Sequence, residues 1–191
     1  AKSLFVLADE TWSNDDMGIQ EKYYSTKHNS GTDNFVDELF WAANWLYMAT
    51  GDKAYLDKAA SYIPNLDKEL GQDVLKYTWC MCWDDVMQGA MLLYAINSGD
   101  QTYVNHVKKH VEYLTNDTEK VNGKLAYISN WGCARYATAA GFIAAVACDT
   151  VLADSDTSAY EQFYEDQINY VLGDNPNGQS FVVGTGSSGD D

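Results

Sequence analysis

Three carboxylate residues, Asp37, Glu38 and Asp84, are the candidates in this sequence for binding a hard metal ion. Two of them open an apolar segment, and the third follows Trp83 just before another apolar segment. Oxygen ligands of this kind suit Ca²⁺, with backbone carbonyl groups completing the coordination shell. The competing interpretation is that these acids only stabilise helix N-termini, where negative charge is favoured. The residue types therefore predict a calcium site, with helix capping as the alternative.

A second group, Trp79, Trp131 and Arg135, has the chemistry to bind neutral rings. The sequence holds 14 Tyr, 6 Trp and 6 Phe, so aromatic residues make up 14% of it. Indole is a flat partner for the apolar C–H faces of a pyranose, and a guanidinium donates hydrogen bonds to hydroxyl groups. Positions 131 and 135 share one helical face if a helix begins there. The alternative is core packing, to which we assign three other tryptophans: Trp41, Trp45 and Trp83.

Composition and charge exclude several classes of partner. The 191 residues include 12 Lys and Arg against 28 Asp and Glu, which gives a formal net charge of −16. Such a surface repels phosphate backbones and anionic lipids, so we expect no nucleic-acid and no membrane partner. A hydrophobic content of 46% excludes a disordered chain. The longest nearly apolar run, 136–148, is too short to span a bilayer, and residues 1–10 show no signal-peptide pattern.

The cysteines do not have the spacing of a zinc site. Cys80 and Cys82 lack the two-residue spacer of a zinc knuckle, and His106 and His110 fall on a different predicted helix. We therefore interpret the four cysteines as structural thiols, or as a disulfide in an oxidising compartment.

An internal repeat shows how the candidate residues are positioned. Gly51 with Asp52 and Gly99 with Asp100 each follow an apolar segment, and a looser third copy spans 151–160. Glycine suits the left-handed position just past a helix end, and aspartate caps the start of the next helix. Each copy therefore predicts a helix, a tight turn and a second helix.

The two helices of each pair differ in character. The first is apolar on nearly every side, as in 35–49, 86–96 and 134–152. The second is amphipathic, as in 53–63, 101–114 and 158–172. A helix that is apolar all round is buried, and an amphipathic helix covers it from outside. Because no segment shows sustained strand alternation, the pattern predicts an all-α, two-layered toroid of antiparallel helical pairs.

Loop lengths orient this toroid. Turns from an inner to an outer helix are short, whereas the connections 65–83 and 116–130 and the stretch before residue 35 are long. In such a ring the inner helices run parallel, so the long loops and the inner-helix N-termini share one face, which carries the candidate residues. Three pairs make about half of a closed toroid. We therefore interpret 1–191 as an internal segment of a longer protein.

Four motifs in the same order resemble glycoside hydrolase family 9, the inverting endoglucanases. They read DELFWAANWLY at 37–47, WDD at 83–85, WGCARYA at 131–137 and QINYVLGDNPNGQSFVVG at 167–184. The resemblance implies an (α/α)6 barrel, a secreted protein and a β-1,4-glucan polysaccharide or oligosaccharide as partner. It also implies that 1–191 is a partial catalytic domain whose further partner is the remainder of that domain.

The resemblance assigns binding residues but no catalytic ones. The family's general base lies in an upstream Asp-rich motif, and its His/Arg motif and general acid lie downstream, so none is carried over here. Asp84 and Asp85 are neighbours at a helix start and are unsuited to the ~6.5–9.5 Å separation of an inverting pair. The family's calcium segment matches 33–38, which adds Asp33 and Asn34 as carbonyl ligands to the three acids. Its cleft-lining residues match Trp79, Trp131 and Arg135.

The sequence thus predicts a segment of an inverting endo-hydrolase of cellulose-type β-1,4-glucan, with structural calcium. Two alternatives stay open at this point. One is a non-catalytic helical module that binds glycan or serves only a structural role. The other is a different glycosidase built on the same α/α toroid.

Overall fold

The computed structural model describes residues 1–11 and 35–184, and this part of the chain is mainly helical. Its α-helices are α1 (Lys2–Thr11), α2 (Val36–Thr50), α3 (Lys53–Tyr62), α4 (Met87–Ser98), α5 (Gln101–Glu112), α6 (Cys133–Asp149) and α7 (Ser158–Leu172). A 3₁₀ turn, Ile63–Asn65, follows α3, and a π-helical turn, Tyr113–Asp117, follows α5. Strands β1 (Lys120–Val121) and β2 (Leu125–Ala126) form a short antiparallel hairpin.

The predicted helical pairs are confirmed as α2/α3, α4/α5 and α6/α7. The first helix of a pair is more buried than the second, as the sequence predicts for inner and outer helices. In α4 every residue of 87–95 is buried, whereas α3 buries only Ala59 and Tyr62. The observed ends differ from the predicted ones by at most three residues. The largest difference is at α6, which ends at Asp149, while Leu152 is buried in the turn that follows.

The predicted turn chemistry is also confirmed. Gly51 and Gly99 have φ values of 67° and 65°, and their N–H groups close the preceding helices on carbonyls four residues back. The next residue, Asp52 or Asp100, caps the start of the outer helix. The Asp52 carboxylate accepts a hydrogen bond from the Ala54 N–H at 3.0 Å, and that of Asp100 accepts one from the Thr102 N–H at 2.8 Å. Glycine is needed at both positions because side chains are strained at positive φ.

The inner helices α2 and α4 run parallel. At their starts, Asp37 Oδ2 accepts a hydrogen bond from the Val86 N–H at 2.8 Å. Towards their ends, Asn97 Nδ2 donates to the Asn44 carbonyl at 3.2 Å. The loop before α4 also contacts the start of α6. The N-termini of the inner helices and the loops that precede α4 and α6 therefore lie on one face, as the loop lengths predict.

Two of the three tryptophans assigned to the core are not buried there, and that prediction was wrong. Trp41 packs against the core, where a Cβ atom on Gly89 would lie 2.6 Å from its ring. Trp45 is 45% exposed and Trp83 is 52% exposed. Trp45 lies one turn beyond Trp41 and borders an apolar groove of about 610 Å³ between α1 and α2. Trp83 lies in the loop before α4.

The ends of the described helical array leave apolar side chains in solvent. Leu4 on α1 borders the groove with α2, and Phe142 and Ile168 are exposed on α6 and α7. Within residues 1–11 and 35–184, no helix combines the length and the apolar character that crossing a membrane requires.

The loop between α3 and α4 is fastened to helices α4 and α5 by buried polar groups. Gln88 Nε2 donates to the Lys76 carbonyl at 2.6 Å, and His110 Nδ1 lies 2.6 Å from the Tyr77 carbonyl. The Glu69 carboxylate accepts hydrogen bonds from the N–H groups of Tyr77 and Thr78 at 2.7 and 2.9 Å. These side-chain bonds add to the backbone bridges Lys68–Leu75 and Cys82–Asp85 within the loop.

These bonds define the protonation of both histidines in α5. A carbonyl only accepts, so His110 Nδ1 carries the proton, and its Nε2 is buried with no partner among the described residues. Gln88 uses its amide nitrogen on Lys76, so its oxygen accepts from His106 Nε2 at 3.2 Å. Burial is the main cause that lowers the pKa of each histidine to about 4. The neighbouring charges act in both directions on His106: His110 and Lys109 lower its pKa, and Glu69 raises it.

We predict that His110 weakens the fold in acid. Unfolded His110 takes up a proton near pH 6.5, but the folded residue does so only near 4. Between these values the unfolded state binds more protons, so the free energy of unfolding falls as the pH falls. Relative to His110→Asn, which does not titrate, the wild type should lose about 2 kcal/mol between pH 7 and pH 5.

Urea unfolding at the two pH values measures this difference. Tyr62→Phe is the control, because it removes the hydrogen bond to Asp9 and no group that titrates in this range. An identical pH dependence for wild type and His110→Asn would contradict the prediction.

Candidate functional site

Trp79 lies on the face formed by the inner-helix N-termini, against the first turn of α6. Its side chain is half-buried, and its ring centroid is 5.5 Å from that of Tyr136, with the planes tilted by 59°. Tyr136 is buried at the start of α6 and supports Trp79 from behind. The aromatic contact restrains the indole at a surface where a flat ligand can reach it.

Arg135 completes this cluster from the solvent side. Its guanidinium carbon lies 4.6 Å from the Tyr136 ring centroid, and Nη2 donates to the Tyr136 hydroxyl at 2.8 Å. Gly132 permits this position, because a Cβ atom there would lie 2.9 Å from Arg135 Nε. The residue that joins Trp79 to Arg135 is thus Tyr136, which the sequence reasoning missed. Its signal was the aromatic position directly after the arginine in the motif at 131–137.

Trp131 lies in the same region but is not on α6. The helix begins at Cys133, so the shared helical face predicted for Trp131 and Arg135 does not exist. The side chain is 77% exposed, which makes it the most exposed tryptophan in the described part of the chain. An indole left in water just before the helix that carries Arg135 and Tyr136 forms an accessible apolar surface.

Asp37 and Glu38, two of the predicted calcium ligands, lie together at the start of α2. The pKa of Asp37 is raised to about 8, first by burial and then by a hydrogen bond to Glu38 and the Glu38 charge. The bond from the Val86 N–H opposes this shift. Two carboxyl groups in contact need either a proton or a cation between them, so this pair suits a divalent ion. Asp33 and Asn34 lie outside the described residues.

The two acids of the motif at 83–85 have different surroundings. Asp84 accepts a hydrogen bond from the Cys82 thiol at 3.0 Å. Asp85 is 6% exposed, and its carboxylate accepts from the Met87 N–H at 3.0 Å. Burial raises the pKa of Asp85 to about 6, with the Asp37 charge as the next cause.

Helix capping explains part of this arrangement. Asp85 and Asp37 accept from the N–H groups of Met87 and Val86, at the start of α4. The capping interpretation thus applies to Asp37. The Asp85 carboxylate also caps α4, and because it is buried a substrate cannot reach it. Among the described residues, no group of three or more His, Cys, Asp or Glu side chains converges as a metal site.

The cysteines do not form a reactive site. All four, at 80, 82, 133 and 148, are free thiols. Burial is the first cause that raises the pKa values of Cys80 and Cys82 to about 12, so both are protonated at neutral pH. A thiol in this state is a poor nucleophile.

Sequence comparison connects the chain to a family of carbohydrate-active enzymes. The family model described as "Glycosyl hydrolase family 9" matches residues 1–189. Endoglucanase B of Cellulomonas fimi is 36% identical, over 98% of this chain and 18% of its own length. Endoglucanase A of Bacillus pumilus is 34% identical, over 81% of this chain and 24% of its own length.

Solved structures agree with the sequence comparison. Endoglucanase CelQ from Clostridium thermocellum, complexed with cellotetraose, is 38% identical over 97% of this chain, with a TM-score of 0.86. The cellulase Cel9M of C. cellulolyticum is 30% identical over 98% of this chain, with a TM-score of 0.75. This chain covers 31% and 40% of those two structures, so it spans about a third of the fold it matches. Since the family model extends over almost the whole sequence, the chain belongs to glycosyl hydrolase family 9.

Proposed function

We propose that this chain is part of a catalytic domain that hydrolyses internal β-1,4 bonds of cellulose-type glucan with inversion. The observation that carries the proposal is the surface of Trp79, Tyr136, Arg135 and Trp131 in a chain of this family. The likeness to CelQ, whose structure contains cellotetraose, supports the same substrate class. The same proposal includes an extracellular location, because an insoluble polymer is reached only outside the cell.

The proposed role of this chain is to bind and orient the glucan. The exposed Trp131 indole provides a flat apolar face for the C–H groups of one sugar ring, and Trp79, supported by Tyr136, provides a second. The Arg135 guanidinium lies between solvent and the Tyr136 ring, where its remaining donors are directed to hydroxyl groups. A glucan fixed in this way presents one glycosidic bond at a defined position. Holding the substrate in position is the part of catalysis that this proposal gives to the described residues.

In this proposal the acid and the base of inversion come from other segments of the domain. Inversion needs a carboxylic acid and a carboxylate about 6.5–9.5 Å apart, on opposite sides of the sugar bond. The acids nearest the binding surface already have other partners. Asp85 caps α4, and Asp37 bonds to Glu38 and to the Val86 N–H.

We also propose a structural calcium ion held by Asp37, Glu38 and Asp84, with backbone carbonyls of Asp33 and Asn34. The support is the contact between the half-buried Asp37 and the exposed Glu38, whose mutual repulsion a divalent cation would relieve. Bound there, the ion would tie the start of α2 to the loop before α4. The ion would therefore stiffen the surface that carries the substrate contacts.

Replacement of the exposed indole should weaken glucan binding. Trp131→Ala removes an aromatic contact worth about 1.5 kcal/mol, so we expect the Kd for cellotetraose to rise about tenfold. Isothermal titration calorimetry measures this change. Phe142→Ala is the matched control. It also removes an exposed aromatic ring from this part of the chain, but Phe142 is not one of the residues of the proposed binding surface. Equal affinities for wild type and Trp131→Ala would contradict the assigned role.

The 191-residue chain alone should not hydrolyse glucan at a useful rate, because none of its residues matches the family's general-base or general-acid motif. Reducing-sugar release from soluble β-glucan, compared with a Trp131→Ala preparation, tests this expectation. Steady release that follows the protein through purification and falls in Trp131→Ala would show that a catalytic pair exists within these residues.

Calcium binding should be stoichiometric after the protein has been treated with a chelator. We expect Asp84→Ala to abolish the calorimetric binding isotherm, because the substitution removes one of three charged ligands. Asp154→Ala, at an exposed acid in the turn after α6, is the control and should bind calcium like the wild type. Unchanged binding by Asp84→Ala would remove that residue from the site.

A further inference from the structure

The three residues before Trp79 are held more firmly than a surface loop requires. The Lys76 and Tyr77 carbonyls accept hydrogen bonds from Gln88 and His110, each at 2.6 Å. The Glu69 carboxylate accepts hydrogen bonds from the N–H groups of Tyr77 and Thr78 and from the Thr78 hydroxyl. The backbone of 76–78 thus has partners from α4, from α5 and from its own loop.

The Tyr77 side chain is fixed as well. Lys109 Nζ lies 3.9 Å from the centroid of its ring, and the Tyr113 ring packs against it edge-on at 5.8 Å. Both contacts come from α5 or the turn that follows it. The position of Tyr77 is therefore set by the outer helix, and the next residue but one is Trp79.

His110 is an unusual choice for a residue that serves only to fill space. Its imidazole is 1% exposed, and its Nε2 atom has no hydrogen-bond partner among the described residues. An unpaired buried polar atom costs stability, and a leucine would occupy similar volume without that cost. What the imidazole adds over an apolar side chain is the Nδ1–H bond to the Tyr77 carbonyl.

We propose that His110 and Gln88 are positioning residues for Trp79: their bonds to the Tyr77 and Lys76 carbonyls hold the indole at the glucan-binding surface. The inference rests on the proposed function, since Trp79 needs a fixed position only if it contacts the substrate. Neither residue touches the glucan in this proposal. Both act through the backbone of the loop, from the side of the fold away from the ligand.

Hydrogen–deuterium exchange measures the effect on the loop directly. His110→Leu should raise the exchange rate of peptides within 76–82 at least tenfold, because the carbonyl anchor is lost. His110→Asn places an amide donor near the position of Nδ1 and should restore slow exchange. Tyr62→Phe, which loses one hydrogen bond at α3, is the matched control and should leave this loop unchanged.

The same measurement can overturn the proposal. The proposal fails if residues 76–82 exchange no faster in His110→Leu than in Tyr62→Phe. It also fails if they exchange fast in a folded His110→Asn. If His110→Leu does not fold, Gln88→Leu replaces it, because this substitution removes the anchor on the Lys76 carbonyl.

A double-mutant cycle with cellotetraose then separates positioning from general stability. If His110 acts through Trp79, His110→Leu should raise the Kd several-fold in the wild-type background and cause no further change with Trp79→Ala. An equal rise in both backgrounds would contradict the positioning role. If Trp79→Ala leaves the affinity unchanged, the proposed glucan contact of Trp79 fails, and the exchange data still decide whether His110 anchors the loop.

Discussion

Helix α4 imposes the main constraint on this fold, because its buried surface extends around the whole helix. Every residue of 87–95 is buried, so no side of this helix is left to face water. Neighbours must therefore cover it all round: α2 and α6 contact it within the inner layer, and α3 and α5 contact it from outside. The short glycine and aspartate turns fold each outer helix back over its inner partner. A ring of helical pairs with parallel inner helices satisfies these demands together.

The same constraint creates the electrostatics of the functional face. A buried helix start leaves N–H groups without water, and α4 meets this need with Asp85 and with Asp37 from α2. Capping from two elements brings the carboxyl groups of Asp37 and Asp85 out of water, and the exposed Glu38 contacts Asp37 beside them. The raised pKa values of Asp37 and Asp85 record the cost of that arrangement. A cation at this point would turn a repulsive cluster into a connection between α2 and the loop before α4.

Long loops on that face need anchors of their own, since they have little secondary structure to fix them. The loop before α4 uses the buried side chains of Gln88 and His110, which donate from α4 and α5 to successive carbonyls. The β1–β2 hairpin before α6 is fastened in a similar way, because Gln167 of α7 accepts from the Ala126 N–H at 2.7 Å. In both cases an amide or imidazole in a helix meets the backbone of a loop. The aromatic surface of Trp79 and Tyr136 lies where these two anchored loops approach each other.

The sequence by itself determined the helical pairs, their inner and outer layers, the turns at Gly51 and Gly99, and the family. The helices, layers and turns depend on local physics: hydrophobic periodicity, positive φ at glycine and capping within a few residues. The family follows from the four motifs. Tertiary structure alone decided that Trp45 and Trp83 are exposed, that Trp131 precedes α6, and that Tyr136 joins Trp79 to Arg135. It also decided that Asp85 is buried and that the Asp37 charge acts on it. Apart from the start of α6, those outcomes depend on contacts between segments far apart in sequence, such as Trp79 with Tyr136, and no spacing within one helix encodes them.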